Sequence, residues 1–177
     1  MHVRTLKGLA LTGAALLALA GQLAVGTSNV AADHVVPQKA AEPSSLDTLL
    51  GRWTGEGKLG FSEGKFENVK CRVTYLKTEV ANHLKQNIRC ASASGNIEVL
   101  SELEQNGTAL SGKWTETVRN MNGELSGQTT PAGFRVEIKG ADLSANMDIM
   151  VRGPRQLVEI QFHNSTLIGL TLMLVKG

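Results

Sequence analysis

From Arg52 to Lys176 the apolar residues recur with a period of two, broken by turn-forming residues roughly every 10 to 15 positions. A strand alternates its side chains between two faces, so this pattern fits strands with one buried face and leaves no room for a long helix. Ten strands are predicted, over 52–61, 65–76, 83–91, 96–105, 108–118, 124–130, 134–139, 143–151, 155–162 and 167–176. The turns expected between them include Ser62-Glu63-Gly64, Asn106-Gly107, Asn122-Gly123, Pro131-Ala132-Gly133, Gly140-Ala141 and Gly153-Pro154. The last strand carries Ile168, Leu170, Leu172 and Leu174 on one side and needs a partner to cover its edge. The predicted fold is all-β: an antiparallel up-and-down β-barrel of about ten strands with a short N-terminal helix.

That helix is read from Leu46, Leu49 and Leu50, with Ser44 or Ser45 as cap, Asp47 near the positive end and Gly51 as terminator. The segment Gly51-Arg52-Trp53-Thr54-Gly55-Glu56-Gly57 follows, with Trp53, Gly55 and Gly57 on one face. A large ring beside two missing side chains predicts a filled spot next to a hollow one.

Hairpin turns fix which residues oppose one another, so the pairing can be tested for agreement of apolar faces. Centring the second hairpin on its loop sets Cys71 opposite Cys90, Val73 opposite Ile88 and Tyr75 opposite Gln86. The two cysteines fall in register on the apolar face, and an exported chain would oxidise them. Closing a loop of ~20 residues contributes about 3 kcal/mol in the chain-entropy model. A two-residue Asn106-Gly107 turn would set Leu103 opposite Leu110 and Val99 opposite Trp114. Extending the pairings predicts an inner ring of Trp53, Val73, Ile88, Val99, Trp114, Thr129, Phe134, Met147, Ile160 and Leu170. A second row holds Gly55, Cys71, Cys90, Ile97, Glu116, Gly127, Val136, Ala145, Phe162 and Ile168. On the outer face Arg72 opposes Arg89, and Glu98 opposes Arg89, a solvated charge cluster.

Ahead of the strands, residues 1–7 carry Arg4 and Lys7, residues 8–25 are almost wholly apolar, and Val30-Ala31-Ala32 is a small-residue cleavage pattern. This predicts a secretory signal peptide over 1–32, a flexible leader over 33–43 and a β-barrel domain over 44–177. A membrane anchor is the competing reading, because the apolar run approaches the roughly 20 residues that span a bilayer. The expected location is periplasmic or secreted, with no stable membrane span after cleavage. Without Arg4 and Lys7 the 18 basic residues fall to 16, equal to the 16 acids. A formally neutral chain is a poor candidate for nucleic acid or an anionic membrane surface, both of which demand a positive field.

The Gly-x-Trp of Gly51 to Trp53, preceded by a short helix and followed by an up-and-down meander, resembles the calycin group of lipocalins and fatty-acid-binding proteins. The resemblance implies a barrel whose first-strand Trp plugs the end closed by the helix, with small apolar ligands entering at the other end. Cys71-Arg72-Val73-Thr74-Tyr75 together with Ile88-Arg89-Cys90-Ala91-Ser92 is also similar to a family of small exported bacterial proteins of unassigned function.

Catalytic signatures are scarce. His34, His83 and His163 are scattered, with no His-x-x-x-His pair, no Gly-x-Ser-x-Gly elbow, no phosphate loop and no dinucleotide fingerprint. No cofactor, no metal and no enzymatic activity are expected. Glu116 stands out, because alternation puts a carboxylate on the inner face between Leu110, Trp114 and Val118. It would meet a ligand's polar group, titrate high through burial, or turn out to solvent on a bulge near Thr117. The lumen candidates are therefore Trp53, Gly55, Gly57, Val69, Trp114, Glu116 and Phe162, with Cys71 and Cys90 as the disulfide. With 4% aromatic residues to fill a ten-strand interior, the expected function is an exported, non-enzymatic β-barrel binding a small apolar ligand in its lumen. The alternative is a secreted interaction protein with a protein partner, such as a protease inhibitor or an envelope component.

Overall fold

The edge of the last strand is covered by the first. In the computed structural model, which describes residues 45–177, a 3₁₀ helix (Ser45–Leu49) leads into β1 (Gly51–Phe61), β2 (Phe66–Lys77), β3 (His83–Ser92), β4 (Gly95–Asn106) and β5 (Ala109–Glu116). The second half contains β6 (Met121–Thr130), β7 (Gly133–Gly140), β8 (Ser144–Arg152), β9 (Arg155–His163) and β10 (Leu167–Lys176). Each strand runs antiparallel to the next, and β10 pairs with β1 from Trp53↔Lys176 to Phe61↔Leu167, closing the barrel. Closure satisfies both edges, which an open meander would leave as templates for aggregation. The expected signal peptide and leader lie outside the described residues. Among the described residues no helix is long and apolar enough to cross a membrane.

The core is the inner face that alternation predicts. Leu172, Val158, Ile149 and Phe134 are buried neighbours in successive strands, from β10 round to β7. Leu46 and Leu49 of the 3₁₀ helix are buried against one end of the barrel. Two bonds moor that helix there: the Ser45 hydroxyl donates to Gln105 Oε1 at 2.8 Å, and Trp53 Nε1 donates to the Leu49 carbonyl at 2.6 Å.

Cys71 faces Cys90, Val73 faces Ile88 and Tyr75 faces Gln86, as the sequence predicts. The sulfurs are bonded, with 4.1 Å between the Cα atoms. Arg72 faces Arg89, and Glu98 neutralises Arg89 at 2.7 Å.

Three hairpins depart from the predicted register. Between β4 and β5, Asn106 stays in the ladder opposite Ala109, so the two-residue loop is Gly107-Thr108, Val99 faces Glu116 and Trp114 faces Ser101. Gly107 takes φ +60°, the left-handed conformation that glycine supplies at no steric cost. Between β7 and β8, Gly140 accepts no place in the loop: its amide donates to the Leu143 carbonyl, so Ala141-Asp142 turns the chain and Val136, not Phe134, faces Met147. The largest shift separates β5 from β6. The chain turns over residues 117–120, with Asn120 at φ 57°, and Asn122-Gly123 lies inside β6, where Gly123 faces Trp114. Trp114 and Glu116 therefore face Gly123 and Met121 rather than Thr129 and Gly127.

Candidate functional site

The interior is graded from one end to the other. Around the helix end, Trp53, Tyr75, Leu84, Gln86, Ser101, Gln156 and Leu174 are all buried. Toward the opposite rim, where β1 runs into β2 and β9 into β10, the inward-facing Leu59, Ile97, Val99, Ile138, Met147, Ile160 and Phe162 are only partly buried although a closed wall surrounds them. Leu103 and Val151 are also partly buried, nearer the helix end. The apolar side chains toward the opposite rim retain contact with solvent, while Val69, Cys90, Val136 and Ala145 on the same inner face are buried.

The helix end is sealed from within. Trp53 is fully buried, and Lys176 Nζ lies 5.4 Å from its ring centroid, capping the indole from the solvent side. One layer inward, Gln156 Nε2 donates to the Tyr75 hydroxyl at 3.5 Å across the barrel. Burial pushes the Tyr75 phenol above its ordinary value, opposed by hydrogen bonds from Gln86 and Gln156, so it stays protonated. Gln156 was not among the sequence candidates. Its signal is the polar residue at the head of the inward series Gln156, Val158, Ile160, Phe162.

Gly55 and Gly57 owe their identity to strand approach. A methyl group on Gly55 would fall on the Met173 carbonyl oxygen, and one on Gly57 on the Thr171 carbonyl oxygen. The expected hollow beside Trp53 is thus the space that lets β1 lie close along β10, the use of glycine where another backbone approaches closely. Val69, facing Gly57 from β2, is buried, and Phe162 is partly buried opposite Ala145.

Trp114 is buried and its Nε1 donates to the Lys139 carbonyl at 3.3 Å. Its ring occupies the space that side chains at Gly123 and Gly140 would need, since a Cβ there would come within 2.8 and 2.9 Å of it. The indole therefore leans on the β6–β7 wall. Beside it, at the rim remote from the helix, is a cleft of about 130 Å³ lined by Trp114, residues 120–122 and residues 140–143.

Glu116 is 3% exposed, so it does not turn out to solvent. Its carboxylate accepts from the amides of Arg119 at 2.7 Å, Val118 at 3.0 Å and Glu98 at 3.3 Å, tying the turn after β5 to β4. Desolvation pushes its pKa up, but the three backbone donors and the Arg119 charge outweigh it and hold the carboxyl below its ordinary value. Such a group stabilises the fold above its unfolded pKa, and that stability is lost as pH falls through the lower folded value. Glu116→Gln removes the charge and brings an N–H against three donors, and should cost about 1–3 kcal/mol at neutral pH. Urea unfolding against pH checks this: the variant's acid limb should be flatter than wild type's below the ordinary glutamate range, and superimposable limbs would contradict the assignment.

The chain matches no protein-family model and no curated protein. Among solved structures it is similar to Rv2717c from M. tuberculosis, with a TM-score of 0.64 at 13% identity, covering 75% of this chain and 97% of that one. It is also similar to the S-type phycobiliprotein lyase CPES from Guillardia theta, with a TM-score of 0.55 at 9% identity, covering 75% and 90%. At these identities the likeness is one of fold. Together with the closed ten-strand meander, the first-strand Trp and the helix-sealed end, it shows a fold of the calycin-like β-barrel kind.

Proposed function

We propose that the protein is an exported, non-enzymatic barrel that holds a small apolar ligand in its lumen, entering at the rim remote from the 3₁₀ helix. The observation that carries the reading is the partial exposure of Leu59, Ile97, Met147, Ile160 and Phe162 on the inner face of a closed wall. An apolar molecule covering them would remove that surface from water, at roughly 25 cal/mol per Å². The inner wall offers little for catalysis. The Glu116 carboxylate is committed to three backbone amides and the Tyr75 phenol is held protonated at the sealed end. The Cys71–Cys90 bond fits an oxidising compartment, which accords with the signal-peptide pattern of residues 1–32.

Titration of the oxidised protein with a fluorescent fatty-acyl probe should give saturable binding at one site per barrel. Met147→Trp, which fills part of the lumen, should weaken it at least about tenfold with the near-ultraviolet circular dichroism of a folded core retained. Binding that fails to saturate, or a Met147→Trp protein that binds like wild type, would remove the lumen reading.

A further inference from the structure

Formal neutrality of residues 33–177, with 16 basic and 16 acidic side chains, hides an uneven distribution of charge over the outer wall. The register lets outward positions be followed from strand to strand. Arg152 faces Arg155 across the β8–β9 hairpin, Arg155 faces Val175, Val175 faces Thr54, and Thr54 faces Arg72. Arg52 is the next outward residue of β1 toward the helix end. All four arginines are exposed, and none makes an ion pair among the described residues. Elsewhere on the wall four cations are answered, Lys85 by Glu102, Arg89 by Glu98, Arg135 by Asp148 and Lys139 by Glu137, while Lys58, Lys70 and Lys113 stand singly rather than in a row of arginines.

The neighbouring outward row is apolar. Met150 faces Leu157 and Leu157 faces Met173. Met173 and Val175 are each 53% exposed, an unusual degree for large apolar side chains adjacent on one strand face. The acid next in that row, Glu56, faces Lys70 and makes no ion pair with any of the four arginines. Val175 thus sits on a convex surface with Arg155 and Arg152 to one side and Arg72 to the other.

We propose that this face of β8, β9, β10, β1 and β2 docks on an anionic phospholipid bilayer. Guanidinium groups pair bidentately with phosphate oxygens, and apolar side chains set among them can enter the headgroup boundary. A convex wall suits a flat, deformable surface, and neither row contains an aromatic ring on which nucleotide bases would stack. The patch lies toward the helix-sealed end, so a docked barrel keeps its opposite rim free. The proposal is independent of what the lumen holds.

The test is co-sedimentation of the full chain with phosphatidylcholine vesicles containing phosphatidylglycerol, against pure phosphatidylcholine. The comparison cancels any contribution of apolar residues 8–25 that does not depend on lipid charge. The anionic vesicles should bind more strongly, with an advantage that falls as salt is raised. The combined variant R52Q/R72Q/R152Q/R155Q should lose on the order of a hundredfold in partition, and Val175→Ser should lose severalfold with the salt dependence kept. A control with the same change in net charge on the other wall, K85Q/K113Q/R135Q/K139Q, should partition like wild type. Equal loss in both multiple variants, or no loss in the arginine variant, would overturn the proposal. So would arginine-dependent binding to DNA or to an acidic protein with none to the anionic vesicles. Lysine replacements at the four sites should retain binding, separating charge from misfolding.

Discussion

Gly57→Ala should destabilise the barrel by about 3 kcal/mol or more, although it adds a single methyl group. Gly57 faces Leu172 on one side and Val69 on the other, and the new carbon would fall on the Thr171 carbonyl oxygen. That oxygen belongs to the backbone of the paired strand, so it cannot swing away as a side-chain end could. β1 must move off β10, and every bond of the closing ladder from Trp53 to Phe61 is placed at risk. Gly64→Ala is the comparison: Gly64 has φ +72° and nothing within 4 Å of an added Cβ. It should cost only the backbone strain, about 1 kcal/mol. Urea unfolding with hydrogen exchange on β1 and β10 would check both, and a Gly57→Ala loss no larger than that of Gly64→Ala would refute the steric account.

Trp53→Ala should be the costliest single truncation, at about 3–5 kcal/mol. The side chain is fully buried, its indole nitrogen holds the Leu49 carbonyl, and its removal uncovers Leu46 and Leu49, which have no other core to enter. Trp53→Phe keeps most of the volume and loses the hydrogen bond, leaving a carbonyl unmatched, so a loss of about 1–3 kcal/mol is expected. Thermal unfolding followed through the remaining Trp114 fluorescence orders the three proteins. A Trp53→Phe protein as unstable as Trp53→Ala would mean that the hydrogen bond, rather than the ring's volume, secures the helix.

Strand identity and strand pairing were not equally legible. Alternation of apolar residues marks all ten strands, because an inward-facing position in any strand meets the same environment. The Cys71–Cys90, Val73–Ile88 and Tyr75–Gln86 pairs follow as well, since the loop between β2 and β3 can be centred from its flanking apolar residues. The misplaced registers all depend on where glycine and asparagine sit. Asn122-Gly123 has the composition of a hairpin turn, yet Gly123 is needed in β6 to make room for the Trp114 ring. The real turn at residues 117–120 is specified by Glu116, whose carboxylate collects the amides of residues 118 and 119. Its third donor, Glu98, comes from β4, eighteen residues earlier in the chain. No local pattern announces an acceptor that acts across strands, so alternation gave the inward direction of Glu116 but not the amides it binds. Gly55 and Gly57 were marked correctly as a place without side chains, but what occupies the space is a carbonyl oxygen of a strand more than a hundred residues away.

The pairing of β1 with β10 also dictates the order of assembly. Every other ladder joins strands that are neighbours in sequence, and the sole covalent cross-link, Cys71 to Cys90, lies within one hairpin. Nine of the ten ladders can therefore form as the polypeptide emerges, whereas the first strand must wait for residues 167–176 before its outer edge finds a mate. Ring closure of that span is the slow, entropy-opposed step. Until it happens the nascent sheet offers two unpaired edges to any other chain, which makes the interval before completion the period when this protein is most vulnerable to aggregation.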